Sequence, residues 1–183
     1  MTSPTRSLIG LKVAILATDG VEEVELVQPR DVLSAAGATT QLVSVHLGQI
    51  QAMNHDVEKG NSYVVDQLVG DVTPDDFDAL LLPGGTTNPD KLRRSPEAVD
   101  FVKGFFARSK PVAAICHGPW MLVEADVVRG RTLTSYPSIH TDIRNAGGEV
   151  TDEEVVVDDQ LVTSRNPQDL PAFCTKIVEV FRA

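Results

Sequence analysis

Two side chains able to do nucleophilic and proton-transfer chemistry stand together at Cys116 and His117, within "KPVAAICHGPWML" (residues 110–122). A thiolate is a strong nucleophile, and an adjacent imidazole takes its proton if the turn directs both side chains into one pocket. The residues before Cys116 (Val112, Ala113, Ala114, Ile115) are small or β-branched, as in a buried strand. Those after it read as a first helical turn, with Gly118 relieving crowding and Pro119 suited to the helix start. A strand that ends on a nucleophile and turns at once into a helix has the mechanics of a nucleophile elbow, with sulfur in place of oxygen. Free N–H groups and the positive dipole end of such a helix predict a lowered thiol pKa. The competing reading is a small buried hydrophobe. Cys174 is the contrast: it falls inside an amphipathic pattern with no turn and no neighbouring base, and reads as a core thiol.

Two further stretches belong beside Cys116 if their strands run parallel. "LLLPGG" ends in Gly84 and Gly85, whose amides, with that of His117, are placed to form an oxyanion hole. By itself it is an ordinary Pro-Gly turn. "TDGVEEVEL" follows the first strand, and its acids Glu22, Glu23 and Glu25 open a helix, where acids are favoured in any case. A carboxyl group facing a thiolate must be protonated or share a proton with it, which burial encourages.

The elements that position these residues alternate along the chain. Strands are expected at 12–17, 39–45, 78–85, 111–116 and 131–136, with a hairpin over 153–165 turning at Asp158-Asp159. Helices are expected at 22–37, which Pro29 should kink or divide, at 95–109 behind a Ser95 cap, after Gly118, at 138–148 and in the C-terminal tail behind Asn166. Thr73 to Phe77 carries a capping pattern, and residues 48–72 hold polar turns and short strands. Near-continuous apolar strands alternating with helices predict an α/β, doubly wound fold: a mostly parallel sheet with helices on both faces. In such folds sites gather at the carboxyl ends of the strands. One domain over 11–183 is expected, with residues 1–10 a flexible tail.

The chain has 183 residues, 42% of them hydrophobic, and a formal net charge of −10. That charge argues against nucleic acid and anionic membrane as partners. No apolar run is long enough to span a bilayer and no leader is evident, so a cytoplasmic location is expected. The two cysteines read as reduced thiols rather than a disulfide. His46, His55 and His140 are scattered without metal-ligand spacing, so no metal or other cofactor is expected.

Taken together and in this order, "TDGVEEVEL", "LLLPGG", "AAICHGP" and "TSYPSIHTDIRNAGG" resemble the PfpI family. This is the intracellular cysteine-peptidase-like branch of the superfamily of the human parkinsonism-associated protein deglycase. The resemblance runs from Lys12 to about Arg182. It implies a flavodoxin-like sandwich of the class I glutamine amidotransferase type, assembled as a homodimer or higher homo-oligomer. It implies Cys116 as nucleophile, His117 beside it, and a glutamate from the first βα turn against the sulfur, for which Glu22 and Glu25 are both candidates. Tyr136 would line the pocket. Asp90, in "TTNPDKL", matches the acid that reaches the histidine from a neighbouring subunit. Here the loop is one residue longer and the acid is Asp rather than Glu. The implied functions are glyoxalase or deglycase action on reactive carbonyls such as methylglyoxal or their protein adducts, or a peptidase using the same cysteine. The alternative from another class is a redox-sensing or chaperone-like stress protein in which Cys116 is oxidised once rather than turning over.

Overall fold

Val13 and Ile15 pack into one apolar cluster while Ala14 and Leu16 pack into another, so a single short strand faces two cores. That strand, β1 (Lys12–Leu16), lies inside a seven-stranded sheet of the computed structural model, which describes residues 8–182. The other strands of the sheet are β2 (Thr39–Ser44), β5 (Gln67–Leu68), β6 (Ala79–Leu82), β7 (Val112–Ile115), β10 (Val155–Asp158) and β11 (Leu161–Ser164). Their order is β10-β11-β7-β6-β1-β2-β5, parallel throughout except for the antiparallel β10–β11 hairpin. The strands β3 (Gln49–Asn54) and β4 (Glu58–Val64) form a separate hairpin. The strands β8 (Thr132–Leu133) and β9 (Glu149–Val150) form a short parallel ribbon.

Helices α1 (Glu23–Ala35) and α6 (Leu170–Phe181) cover one face through Leu26, Leu33, Phe173 and Ile177. The helices α3 (Pro96–Ala107), α4 (Trp120–Glu124) and α5 (His140–Asn145) cover the other through Phe101, Phe105, Leu122 and Ile143. A short helix, α2 (Thr87–Leu92), follows the Pro-Gly-Gly turn. This is the doubly wound sandwich that the alternation predicts, and the flavodoxin-like fold that the resemblance implies.

Several local expectations change in three dimensions. Pro29 does not divide α1: Leu26, Pro29 and Leu33 are all buried, and that burial outweighs the loss of one backbone donor. The strand expected at 131–136 shrinks to β8, outside the main sheet, because the chain leaves for the site at Thr134. The Thr73–Asp76 capping box forms, but it closes only a 3₁₀ turn. Of the expected N-terminal tail, residues 1–7 lie outside the described residues. Leu8, by contrast, is fully buried and donates its amide to the Ala36 carbonyl (3.0 Å), so packed structure begins before residue 11.

Candidate active site

Parallel pairing brings the three sequence stretches to one place. β7 lies between β11 and β6, with Leu82 opposite Ala114. Continuing that register sets Gly84 beside Cys116. β1 flanks β6 on its other side and β2 departs the opposite way, so the cleft lies where the sheet order reverses, at the carboxyl ends of the strands.

Cys116 sits at the elbow with φ 63°, a left-handed conformation that costs a non-glycine residue energy and persists only where the surroundings impose it. Three backbone bonds impose it here: Cys116 N–H to Ser164 O (3.0 Å), Gly118 N–H to Ile115 O (2.8 Å) and Tyr136 N–H to Cys116 O (2.8 Å). Gly84 lets the two loops close. A Cβ there would overlap Glu25 Oε2 and come within 2.6 Å of the Cys116 Cβ.

The structure separates Glu22 from Glu25. Glu25 is fully buried, accepts the Gly84 N–H at Oε2 (2.9 Å) and faces the Cys116 thiol. Burial pushes its carboxyl up to about 8, with the Glu22 and Asp56 charges adding to the effect, so Glu25 is protonated at neutral pH. Glu22 instead holds the β3–β4 hairpin, accepting the amides of His55 (3.1 Å) and Asp56 (3.4 Å). Glu23, between them, accepts from Tyr63 Oη (2.7 Å) and from Asn61, which hold its carboxyl down at about 2.

The expected lowering of the Cys116 pKa is not what this environment does. Burial pushes the thiol up, and a charged Glu25 pushes it further, while the amides of Gly85 and His117 pull it down. The helix that follows, α4, is only five residues long and begins at Trp120, so of the backbone after Cys116 it is the turn amide of His117 that favours the thiolate. Protonated Glu25 removes the charge repulsion and leaves the two amides facing the sulfur. The proton then has a local acceptor. His117 Nδ1 lies 3.2 Å from Sγ, and burial pushes the imidazole down, so it is neutral and free to accept. With Nδ1 accepting, Nε2 carries the ring hydrogen and donates to Ser138 Oγ (3.0 Å). Tyr136 stacks on the imidazole, with ring centroids 4.6 Å apart at 24°.

These groups surround a cleft of about 240 Å³. Gly84, expected as an oxyanion donor, has its N–H committed to Glu25; Gly85 and His117 supply the amides. Asp90 is exposed on α2 and does not line the cleft within this chain. Sequence reasoning missed Ser138, His55 and Asp56. Ser138 was within a quoted motif but carried no spacing signal. His55 and Asp56 come from the hairpin tip, whose docking onto Glu22 no local pattern reveals. Among the described residues no three His, Cys, Asp or Glu side chains converge as metal ligands would. No helix of the described residues is long and apolar enough to cross a membrane.

Fold and site thus define a flavodoxin-like α/β protein with a cysteine mounted on a strand–helix elbow. Residues 11–180 match the DJ-1/PfpI family, and the chain belongs to that family. It is 48% identical over 164 residues to the Escherichia coli (strain K12) protein named protein/nucleic acid deglycase 2, covering 88% of this chain and 92% of that one. It is 43% identical over 167 residues to general stress protein 18 of Bacillus subtilis (strain 168), covering 90% and 94%. Among solved structures, Drosophila melanogaster DJ-1beta superposes with a TM-score of 0.85 at 29% identity, covering 95% of this chain and 91% of that one.

Proposed function

We propose that this protein is a cysteine-dependent enzyme acting on small reactive carbonyls, with Cys116 as nucleophile. The observation that carries the reading is the surroundings of one sulfur. Two amides, a protonated carboxyl and a neutral imidazole meet it inside a cleft of small-molecule size. In this reading His117 takes the thiol proton and Sγ bonds to the aldehyde carbon of an α-oxoaldehyde. The resulting oxyanion is held by the amides of Gly85 and His117 and then protonated. The aldehyde hydrogen moves to the neighbouring carbonyl carbon through an enediol, with Glu25 and His117 exchanging protons with it. The aldehyde carbon is thereby oxidised to a thioester as the ketone is reduced to an alcohol. Water cleaves the thioester to lactate and the free thiol.

The deglycase name of the Escherichia coli relative supports carbonyl chemistry of this kind. The cleft size favours it over peptidase action, which needs an extended groove for a chain. Assembly as a homodimer, with Asp90 of one copy serving the cleft of another, belongs to the same proposal.

The test is multiple-turnover consumption of methylglyoxal by wild type and Cys116→Ala. Lactate in large excess over protein, absent in the variant, is the expected result. Absence of turnover, with Cys116 gaining oxygen under mild peroxide, replaces the enzyme with the one-reaction sensor.

A further inference from the structure

We propose that the cleft over Cys116 selects its substrates by charge, admitting neutral and cationic carbonyl compounds and disfavouring anionic ones, with Asp56 as the principal selecting residue. The inference deepens the preceding reading and rests on Cys116 being the reacting atom.

The cleft is walled by the carboxyl groups of Glu22, Glu25 and Asp56, and none of its lining residues is a lysine or arginine. Arg165, two residues from Pro167 on the rim, is already held by Asp152 (2.8 Å) and Asp169 (2.9 Å). Glu25 is protonated at neutral pH, so an anionic substrate meets the carboxylates of Glu22 and Asp56, with no lysine or arginine of this chain's cleft lining to offset them. Asp56 is exposed at the tip of the β3–β4 hairpin but is strapped in place. Its amide donates to Glu22 Oε2 (3.4 Å), and its Oδ1 accepts the Thr86 N–H (2.8 Å), from the turn after β6. One acid thus ties the loop after β1, the hairpin and the loop after β6 together over the sulfur. A second observation marks the cleft as built for a ligand: Glu25, wholly buried, has no hydrogen-bond partner at Oε1. A buried polar atom is rarely left so unless something outside the chain completes it.

The test reads charge selection at the sulfur without requiring turnover. In a Cys174→Ala background at pH 8, above the ordinary imidazole range, Cys116 is labelled with three methanethiosulfonates: trimethylammonioethyl, methyl and sulfonatoethyl. In each case the thiolate attacks the sulfenyl sulfur, a disulfide forms and methanesulfinate leaves. Rates are normalised to those for 2-mercaptoethanol, so that only the ratio between reagents is read and any change in thiol acidity cancels. The expected cationic-to-anionic ratio is about tenfold or more, as for fixed charges close to a reaction centre, and it falls as salt is added. Asp56→Asn, whose amide oxygen can still accept the Thr86 N–H, lowers the ratio by about threefold or more. Asp100→Asn, at an exposed position on α3 and with the same change in net charge, leaves it unaltered. Glu22→Gln is the second variant and moves the ratio in the same direction.

A ratio near one in wild type overturns the proposal, as does an equal response to Asp56→Asn and Asp100→Asn. Charge ordering without lactate formation upholds the selection and removes the carbonyl enzyme. Lactate formation without charge ordering removes only the selection.

Discussion

Cys116 and Cys174 are equally hidden, each 6% exposed, and both are free thiols, yet their surroundings share almost nothing. Cys174 lies on α6 beside an apolar groove of about 620 Å³ between α1 and α6. Burial is all that acts on its thiol, which is pushed up to about 11. Cys116 opens on a cleft less than half that size, but there two amides, an acid and an imidazole converge. Neither burial nor cavity size separates the two thiols. The polar groups aimed at the sulfur do, because only they can stabilise charge that appears during reaction.

The comparison breaks if the two cysteines respond alike to removal. Cys116→Ala is expected to lower carbonyl turnover by about 10³-fold or more, as loss of a covalent nucleophile does. Cys174→Ala is expected to leave turnover within about twofold and to cost about 1 kcal/mol of stability through lost packing, read by urea unfolding. Steady-state rates on the two variants settle which thiol does the chemistry.

Glu25 sharpens the contrast. Glu25→Gln keeps the hydrogen-bonding shape but cannot pass a proton, and kcat is expected to fall by about 10²-fold. The same residue has a pH signature. Its folded pKa is raised from the ordinary 4.5 to about 8, so folding retains a proton that the unfolded chain has released. Its contribution is therefore fully present below pH 4.5 and is lost as pH rises through about 8. Glu23, two residues earlier on the same helix, is lowered to about 2; its contribution is present above 4.5 and is lost as pH falls through about 2. Thermal unfolding across pH 5 to 8 should show a decline that Glu25→Gln removes and Glu23→Gln leaves in place.

Smaller effects follow from the neighbours. Gly84→Ala presses a methyl group against Cys116 Cβ and Glu25, an overpacked contact expected to cost about 1–3 kcal/mol in urea unfolding. Ser138→Ala removes only the acceptor at His117 Nε2. It is expected to lower kcat by about threefold to tenfold and to move the acidic limb of the pH–rate profile, where His117 becomes protonated, with Ser138→Thr restoring both.

Much of this was legible in residue order. The elbow reads from an apolar strand meeting Cys-His-Gly-Pro, and the sheet from the period of the apolar runs, because both are local. Even the neighbourhood of Gly84 and Cys116 follows once the strands are parallel, since register carries one turn beside the next. Glu22 and Glu25 could not be told apart. Both open the same helix, and their difference lies in whether a hairpin amide or a sulfur waits beyond each carboxyl. Asp56 and Ser138 were invisible for the same reason.

The sequence by itself determined the layered α/β architecture, the place of the thiol at the strand–helix corner and the glycines that let loops approach it. These follow from periodicity and backbone conformation, which depend on near neighbours along the chain. Only the tertiary structure decided which glutamate meets the sulfur, that burial raises the thiol pKa instead of a helix end lowering it, and that the β3–β4 hairpin closes the cleft with Asp56. Those properties are sums over groups distant in sequence and exist only once the chain has brought them within a few ångströms of one another.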